Sequence, residues 1–192
     1  MPRSAGDGSA AVPDNAAPVP ARRPFWRRLP SWEVLAFLAI FVGLHLWQQR
    51  DMASGEMPAI AGHLTDGSRA GIVDALARAE GGPVLVYVWA TWCPVCRVEE
   101  GTIKSLAEDW PVLTVAMQSG EADEVAKFMA RRGTAYPALV DARGEISSRL
   151  GVRAVPAWFV VDGRRQIRFA GAGYTTGWGL RLRLWWAGKV AA

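Results

Sequence analysis

Apolar residues fall along this chain in two kinds of run. Val84-Leu-Val-Tyr-Val-Trp89 and Val112-Leu-Thr-Val-Ala116 are short and almost unbroken, which predicts strands buried on both faces. Ala138-Leu-Val140 predicts a shorter strand, followed by an Asp141–Gly144 turn. Trp158-Phe-Val-Val161, the Asp162-Gly163 turn and Gln166 to Phe169 predict a hairpin. Helices fall between these runs. Ile72 to Ala79 is short and ends at Gly81-Gly82. Pro94 to Asp109 follows the first strand. Glu121 to Arg132 turns Val125, Phe128 and Met129 inward, and Thr176 to Ala187 closes the chain. A turn signal at Gly62 to Gly67 suggests a small N-terminal hairpin. No internal repeat is present. The order β-α-β-α-β, then a hairpin and a helix, predicts an α/β sandwich around a mixed sheet.

The N-terminal fifty residues follow a different pattern. Residues 1–28 are rich in Ala, Pro, Gly and Ser and end in Arg22, Arg23, Arg27 and Arg28, which predicts a disordered cytoplasmic tail. Residues 29–48 hold a single apolar segment. At 1.5 Å per residue it reaches about 28 Å, close to a bilayer core of about 30 Å. Trp26, Trp32 and Trp47 suit the two interfaces, and the preceding arginines predict a cytoplasmic N-terminus. The expectation is a single-pass anchor in the bacterial inner membrane. A cleaved signal peptide competes, with Ala59-Ile60-Ala61 as its site, but that site lies far beyond Trp47. A buried core helix is the other alternative, and the arginines and tryptophans speak against it. Residues 49–58 read as a tether, and 59–192 as the exported domain, on the periplasmic side.

Charge supports this division. The chain has 22 Lys and Arg against 18 Asp and Glu, a net +4. Residues 1–50 hold six arginines and three acids, a net +3. The excess therefore flanks the apolar segment, which suits a membrane and excludes a nucleic-acid surface. Trp185-Trp186 in the last helix reads as core, with packing on the membrane or a partner as the alternative.

The chemistry rests on the only two cysteines, Cys93 and Cys96, at the point where a strand hands over to a helix. A disulfide across two residues closes a very small loop and is a poor staple. As a redox pair the spacing is apt, because one thiol attacks and the other resolves. Zinc would need four Cys or His ligands, and the chain adds only His45 and His63. Cys93 would sit at the helix N-cap, where free N–H groups and the macrodipole favour the attacking thiolate. Pro94 fits the first turn. Cys96, one turn along, would be the more buried, resolving thiol. Arg97 adds positive charge nearby, or is simply a solvated residue.

Val86-Tyr-Val-Trp-Ala-Thr-Trp-Cys-Pro-Val-Cys-Arg97 resembles the active-site segment of membrane-anchored thioredoxins of the TlpA, ResA and DsbE type. With Thr114-Val-Ala-Met-Gln-Ser119 and Gly151-Val-Arg-Ala-Val-Pro-Ala157 it is most similar to the suppressor-for-copper-sensitivity protein D (ScsD) branch. The resemblance covers about residues 59–187. It implies a thioredoxin-like three-layer sandwich with a mixed central sheet, and a periplasmic protein disulfide oxidoreductase. Cys93 is the implied nucleophile and Cys96 the resolving thiol. Pro156 matches the family's cis-proline, although trans is the default for an X–Pro bond. A cis bond there would expose the Val155 backbone as a docking edge for a substrate strand. Trp92, Pro94, Val95 and Val155 are the implied substrate contacts. Glu99 matches a family glutamate and is the candidate proton-transfer group, or else an ordinary solvated acid like Glu100. One departure matters. Where thioredoxin has a buried aspartate, six residues before the first cysteine, this chain has Tyr87.

The implied partners are protein thiols and disulfides, and a membrane electron donor of the DsbD/ScsB type. No cofactor beyond the dithiol and no metal is implied. The Pro-Val dipeptide lacks the histidine of strongly oxidising CPHC sites, so a reducing direction is expected. Copper-stress tolerance is the ScsD-like role, and reduction of apocytochrome c during its maturation is the alternative. Readings from other classes are a copper-binding protein, a redox-inert chaperone and a thiol peroxidase. The residues for each are lacking or, for the inert module, contradicted by the intact Cys93, Cys96 and Pro156.

Overall fold

The computed structural model describes residues 31–191. The expected tail, residues 1–28, lies outside them. Among the described residues no helix is long and apolar enough to cross a membrane. The expected anchor starts two residues before them, and helix α1 (Ser31–Gln49) occupies most of its length.

The rest of the chain is built on a six-stranded sheet. Its strands are β1 (Gly55–Glu56), β4 (Val84–Trp89), β5 (Val112–Met117), β6 (Ala138–Asp141), β7 (Ala157–Val161) and β8 (Gln166–Ala172). Their order is β1-β8-β7-β4-β5-β6. β4, β5 and β6 run parallel, while β7 pairs antiparallel with β4, β8 with β7 and β1 with β8. The mixed sheet of the sequence reading is therefore present. A separate hairpin pairs β2 (Ala61–His63) with β3 (Arg69–Gly71).

The helices are α2 (Ile72–Arg78), α3 (Pro94–Asp109), α4 (Ala122–Arg132), α5 (Glu145–Arg149) and α6 (Gly177–Ala191). All six residues of β4 are buried, because helices cover both faces of the sheet. Its pleat divides them. Leu85, Tyr87 and Trp89 join a core with Ile103 and Leu106 of α3, Val125 of α4, and Leu180 and Leu184 of α6. Val84, Val86 and Val88 face Ile72 and Ala75 of α2 and Ile146 of α5. Burying each large apolar side chain contributes about 1.5–3 kcal/mol, so this central strand is the main apolar support of the site.

Three local differences from the sequence reading have physical causes. Helix α5 was not anticipated. Its five residues include two serines, which have little helix propensity. The buried Asp141 carboxylate makes it form, by accepting from the backbone N–H groups of Ile146 and Ser147 and from the Ser147 hydroxyl. The second difference concerns residues 49–58, read as a tether. Within them β1 pairs with β8, Met57 is fully buried, and the Ala53 N–H donates to the Leu150 carbonyl. At Gly151 (φ 68°) a Cβ would lie 1.7 Å from the Asp51 carbonyl oxygen, so this approach requires glycine. Third, Trp185 and Trp186 are exposed rather than core. Leu180, Leu184 and Ala187 take the inner face of α6 instead.

Candidate active site

Strand register assembles the site. The antiparallel β4–β7 pairing sets Val88 opposite Ala157. The start of β7 therefore lies beside the end of β4, and Val155-Pro156 comes next to the loop that carries Cys93. The Val155–Pro156 peptide bond is cis. The end of β5 reaches the same edge from the other side.

Cys93 is the N-cap of α3, with extended backbone, and Pro94 opens the helix. The Cys96 N–H donates to the Cys93 sulfur at 3.1 Å, as a capping side chain would require. The two cysteines form a disulfide, with Cα atoms 5.4 Å apart. The Val155 carbonyl lies 3.7 Å from the Cys93 sulfur. Cys96 is not the more buried of the pair. Cys93 is 2% exposed and Cys96 6%, because the cis-proline loop covers Cys93. The difference between the thiols is therefore positional. Only Cys93 sits where the helix start can hold a thiolate.

The neighbouring loop is held by groups the sequence reading did not single out. The Thr91 N–H donates to the Ser119 hydroxyl at 3.0 Å, and the Trp92 indole N–H donates to the Gln118 carbonyl at 3.0 Å. Gln118 and Ser119 both lie within the Thr114–Ser119 motif, but a backbone carbonyl carries no residue signature, so the role of Gln118 was not legible. Trp92, Pro94 and Val95 are exposed and form an apolar rim beside the sulfurs. Behind Cys96, a crevice of about 10 Å³ lies among Tyr87, Trp89, Ala90, Phe128 and Tyr136. It has room for about one water.

Glu99 is buried, not solvated. Cys96, Glu99, Ile103 and Leu106 form the inner row of α3. Its carboxylate accepts from the Tyr87 hydroxyl at 2.8 Å and from the Thr175 backbone N–H. Burial pushes Glu99 above the ordinary carboxylate value, while these two donors pull the other way. Tyr87 is pushed well up, first by burial and then by the Glu99 charge, so it remains a hydrogen-bond donor. Glu100 differs. Partial burial would raise it, but Lys104 and Arg132 outweigh that and hold it low. Arg97 is exposed. His63 is exposed on the β2–β3 hairpin, and the side chain of His45 lies outside the description. Among the described residues no group of three or more His, Cys, Asp or Glu could hold a metal ion.

This geometry suits attack by Cys93 and resolution by Cys96. Comparisons with known proteins agree. The family model described as AhpC/TSA matches residues 57–170. A DsbE homolog of Paracoccus denitrificans, named a thiol:disulfide interchange protein, is 33% identical over 149 residues, covering 72% of this chain and 82% of its own. The Escherichia coli K12 DsbE is 31% identical over 153 residues, covering 73% and 82%. A thioredoxin-like protein of Haemophilus influenzae is 32% identical over 106 residues, covering 55% of this chain and 63% of its own. Among solved structures, a DsbE-type protein from Chlorobium tepidum superposes with a TM-score of 0.62 at 20% identity, covering 71% of this chain and 98% of its own. A secreted thiol-disulfide isomerase from Corynebacterium glutamicum gives 0.62 at 19%, covering 69% and 85%. These two likenesses establish the thioredoxin-like fold. The chain belongs to the AhpC/TSA family and, within it, to the DsbE-type thiol:disulfide oxidoreductases, with Cys93–Cys96 as its disulfide.

Proposed function

We propose that this protein is anchored in the bacterial inner membrane by the segment around α1 and reduces disulfides in periplasmic proteins. The observation that carries the reading is Cys93 at the N-cap of α3, holding the Cys96 N–H and facing the Val155 carbonyl next to a cis Pro156. The small crevice behind Cys96 also supports it, since a substrate must approach across the open Trp92–Val95 rim. A polypeptide can do so by pairing its backbone with Val155.

In the reduced enzyme, the Cys93 thiolate attacks one sulfur of the substrate disulfide. A Cys93–substrate disulfide forms, and the other substrate sulfur leaves as a thiolate and takes up a proton. Cys96 then gives up its proton and attacks the Cys93 sulfur. The Cys93–Cys96 disulfide forms, and the second substrate thiolate leaves. Two electrons have passed to the substrate. Glu99 is the proposed proton partner for Cys96. A membrane dithiol donor of the DsbD/ScsB type would return two electrons, and no cofactor beyond the dithiol is invoked.

Two measurements test this. Equilibration with glutathione should give a potential on the reducing side, between about −180 and −270 mV, and a value near −120 mV would mark an oxidant. In cells, Cys96→Ser should trap substrates on Cys93. Captured apocytochrome c would assign a role in cytochrome maturation, captured copper-stress proteins the ScsD-like role. No adduct at all would overturn the reading.

A further inference from the structure

Helix α6 is apolar on both sides. Leu180, Leu184 and Ala187 face the core. Trp178, Leu182 and Trp185 follow at spacings of four and three along the opposite side, and they are 85%, 65% and 56% exposed. Lys189 continues that row and lies 6.0 Å from the Trp185 ring. A helix with two apolar faces needs a second apolar environment, and monomers seldom leave such a patch open.

Charge says which environment. Within α6 there are Arg181, Arg183 and Lys189 and no acidic residue. Arg183 lies over the Trp158 ring at 5.0 Å, and Arg181 lies over Trp110 while pairing with Asp109. Asp109 offsets the charge of Arg181, which leaves Arg183 and Lys189 as the cations beside the exposed row. A second copy of the helix would bring like charges together across the contact. An anionic lipid surface would complement them, with the tryptophans at headgroup level and the basic stems lying along the apolar boundary.

We propose that the outer face of α6 docks on anionic lipid headgroups, Trp178, Leu182 and Trp185 entering the interface and Arg183 and Lys189 meeting lipid charge. This contact is separate from the α1 segment and from the exchange reaction. It would hold the domain against the bilayer.

The full chain is reconstituted in nanodiscs of phosphatidylcholine alone, or with added phosphatidylglycerol, each carrying brominated acyl chains. Tryptophan quenching is compared between the parent and a Trp178→Ser/Trp185→Ser variant. Insulin reduction at the parent rate confirms that the variant is folded. The expected result is greater quenching of the parent than of the variant in anionic discs. That excess should be lost in phosphatidylcholine discs and in about 1 M salt, where the Debye length falls to about 3 Å. Equal fractional quenching of parent and variant in anionic discs overturns the proposal. So does a concentration-dependent dimer of the parent in sedimentation that the variant abolishes, which would assign the face to a second copy.

Discussion

The Tyr87 hydroxyl donates a 2.8 Å hydrogen bond to the Glu99 carboxylate, and both side chains are buried. The bond ties the central strand β4 to α3 behind the dithiol. The Thr175 N–H adds the segment between β8 and α6 to the same carboxylate. Glu99 therefore joins three elements and sits in the same helical row as Cys96.

The pair has a pH signature. Burial, opposed by its two donors, raises Glu99 in the folded state. The folded protein then holds this proton at pH values where the unfolded chain, with a pKa of about 4.3, releases it. The contribution to stability is complete below about pH 4.3 and is lost as pH rises through the folded value. Glu99→Gln removes this dependence. Urea midpoints of the parent should fall relative to the variant from pH 4 towards neutrality. Parallel pH profiles would mean that Glu99 has its ordinary carboxylate value.

Asp141 should be a stability residue. It accepts three hydrogen bonds at the start of α5. Asp141→Ala leaves those donors buried and should cost about 2 kcal/mol or more. Denaturant titration checks it, and a change within about 0.5 kcal/mol would show that α5 stands without the carboxylate.

The segment before β2 makes a third case. Met57 is fully buried beside β1, inside residues read from sequence as a tether. Met57→Ala should destabilise the domain by about 2–4 kcal/mol. A true tether would show no change.

These residues indicate what sequence reasoning could reach. Unbroken apolar runs such as Val84–Trp89 report burial on both faces directly, and the Cys-Pro-Val-Cys spacing places Cys93 at the N-cap. The burial of Glu99 was also readable, since it falls at helical spacing between Cys96 and Ile103. The two-residue strand β1 was not, because its partner β8 lies more than a hundred residues away and its sequence is Gly-Glu. The outward Trp185 was hidden for a different reason. Tryptophan reads as core unless the opposite helix face is already known to be filled.

Trp92 should matter for large substrates. Its ring is exposed beside Cys93 and its orientation is set by the Gln118 carbonyl. Trp92→Ala should lower kcat/KM for an unfolded protein disulfide by roughly tenfold, about 1.4 kcal/mol, while sparing a small-molecule disulfide. Equal losses for both would point to damage at the dithiol itself.

The assignment of the attacking sulfur is the centre of the account. Both thiols are nearly closed to solvent, so burial does not separate them, and the N-cap does. The direct measurement is mass spectrometry of Cys93→Ser and Cys96→Ser, each reduced and then mixed with an oxidised protein substrate. The account predicts that Cys96→Ser accumulates a one-to-one mixed disulfide at Cys93, while Cys93→Ser accumulates none on the same timescale. A mixed disulfide formed at Cys96 at a comparable rate would contradict it.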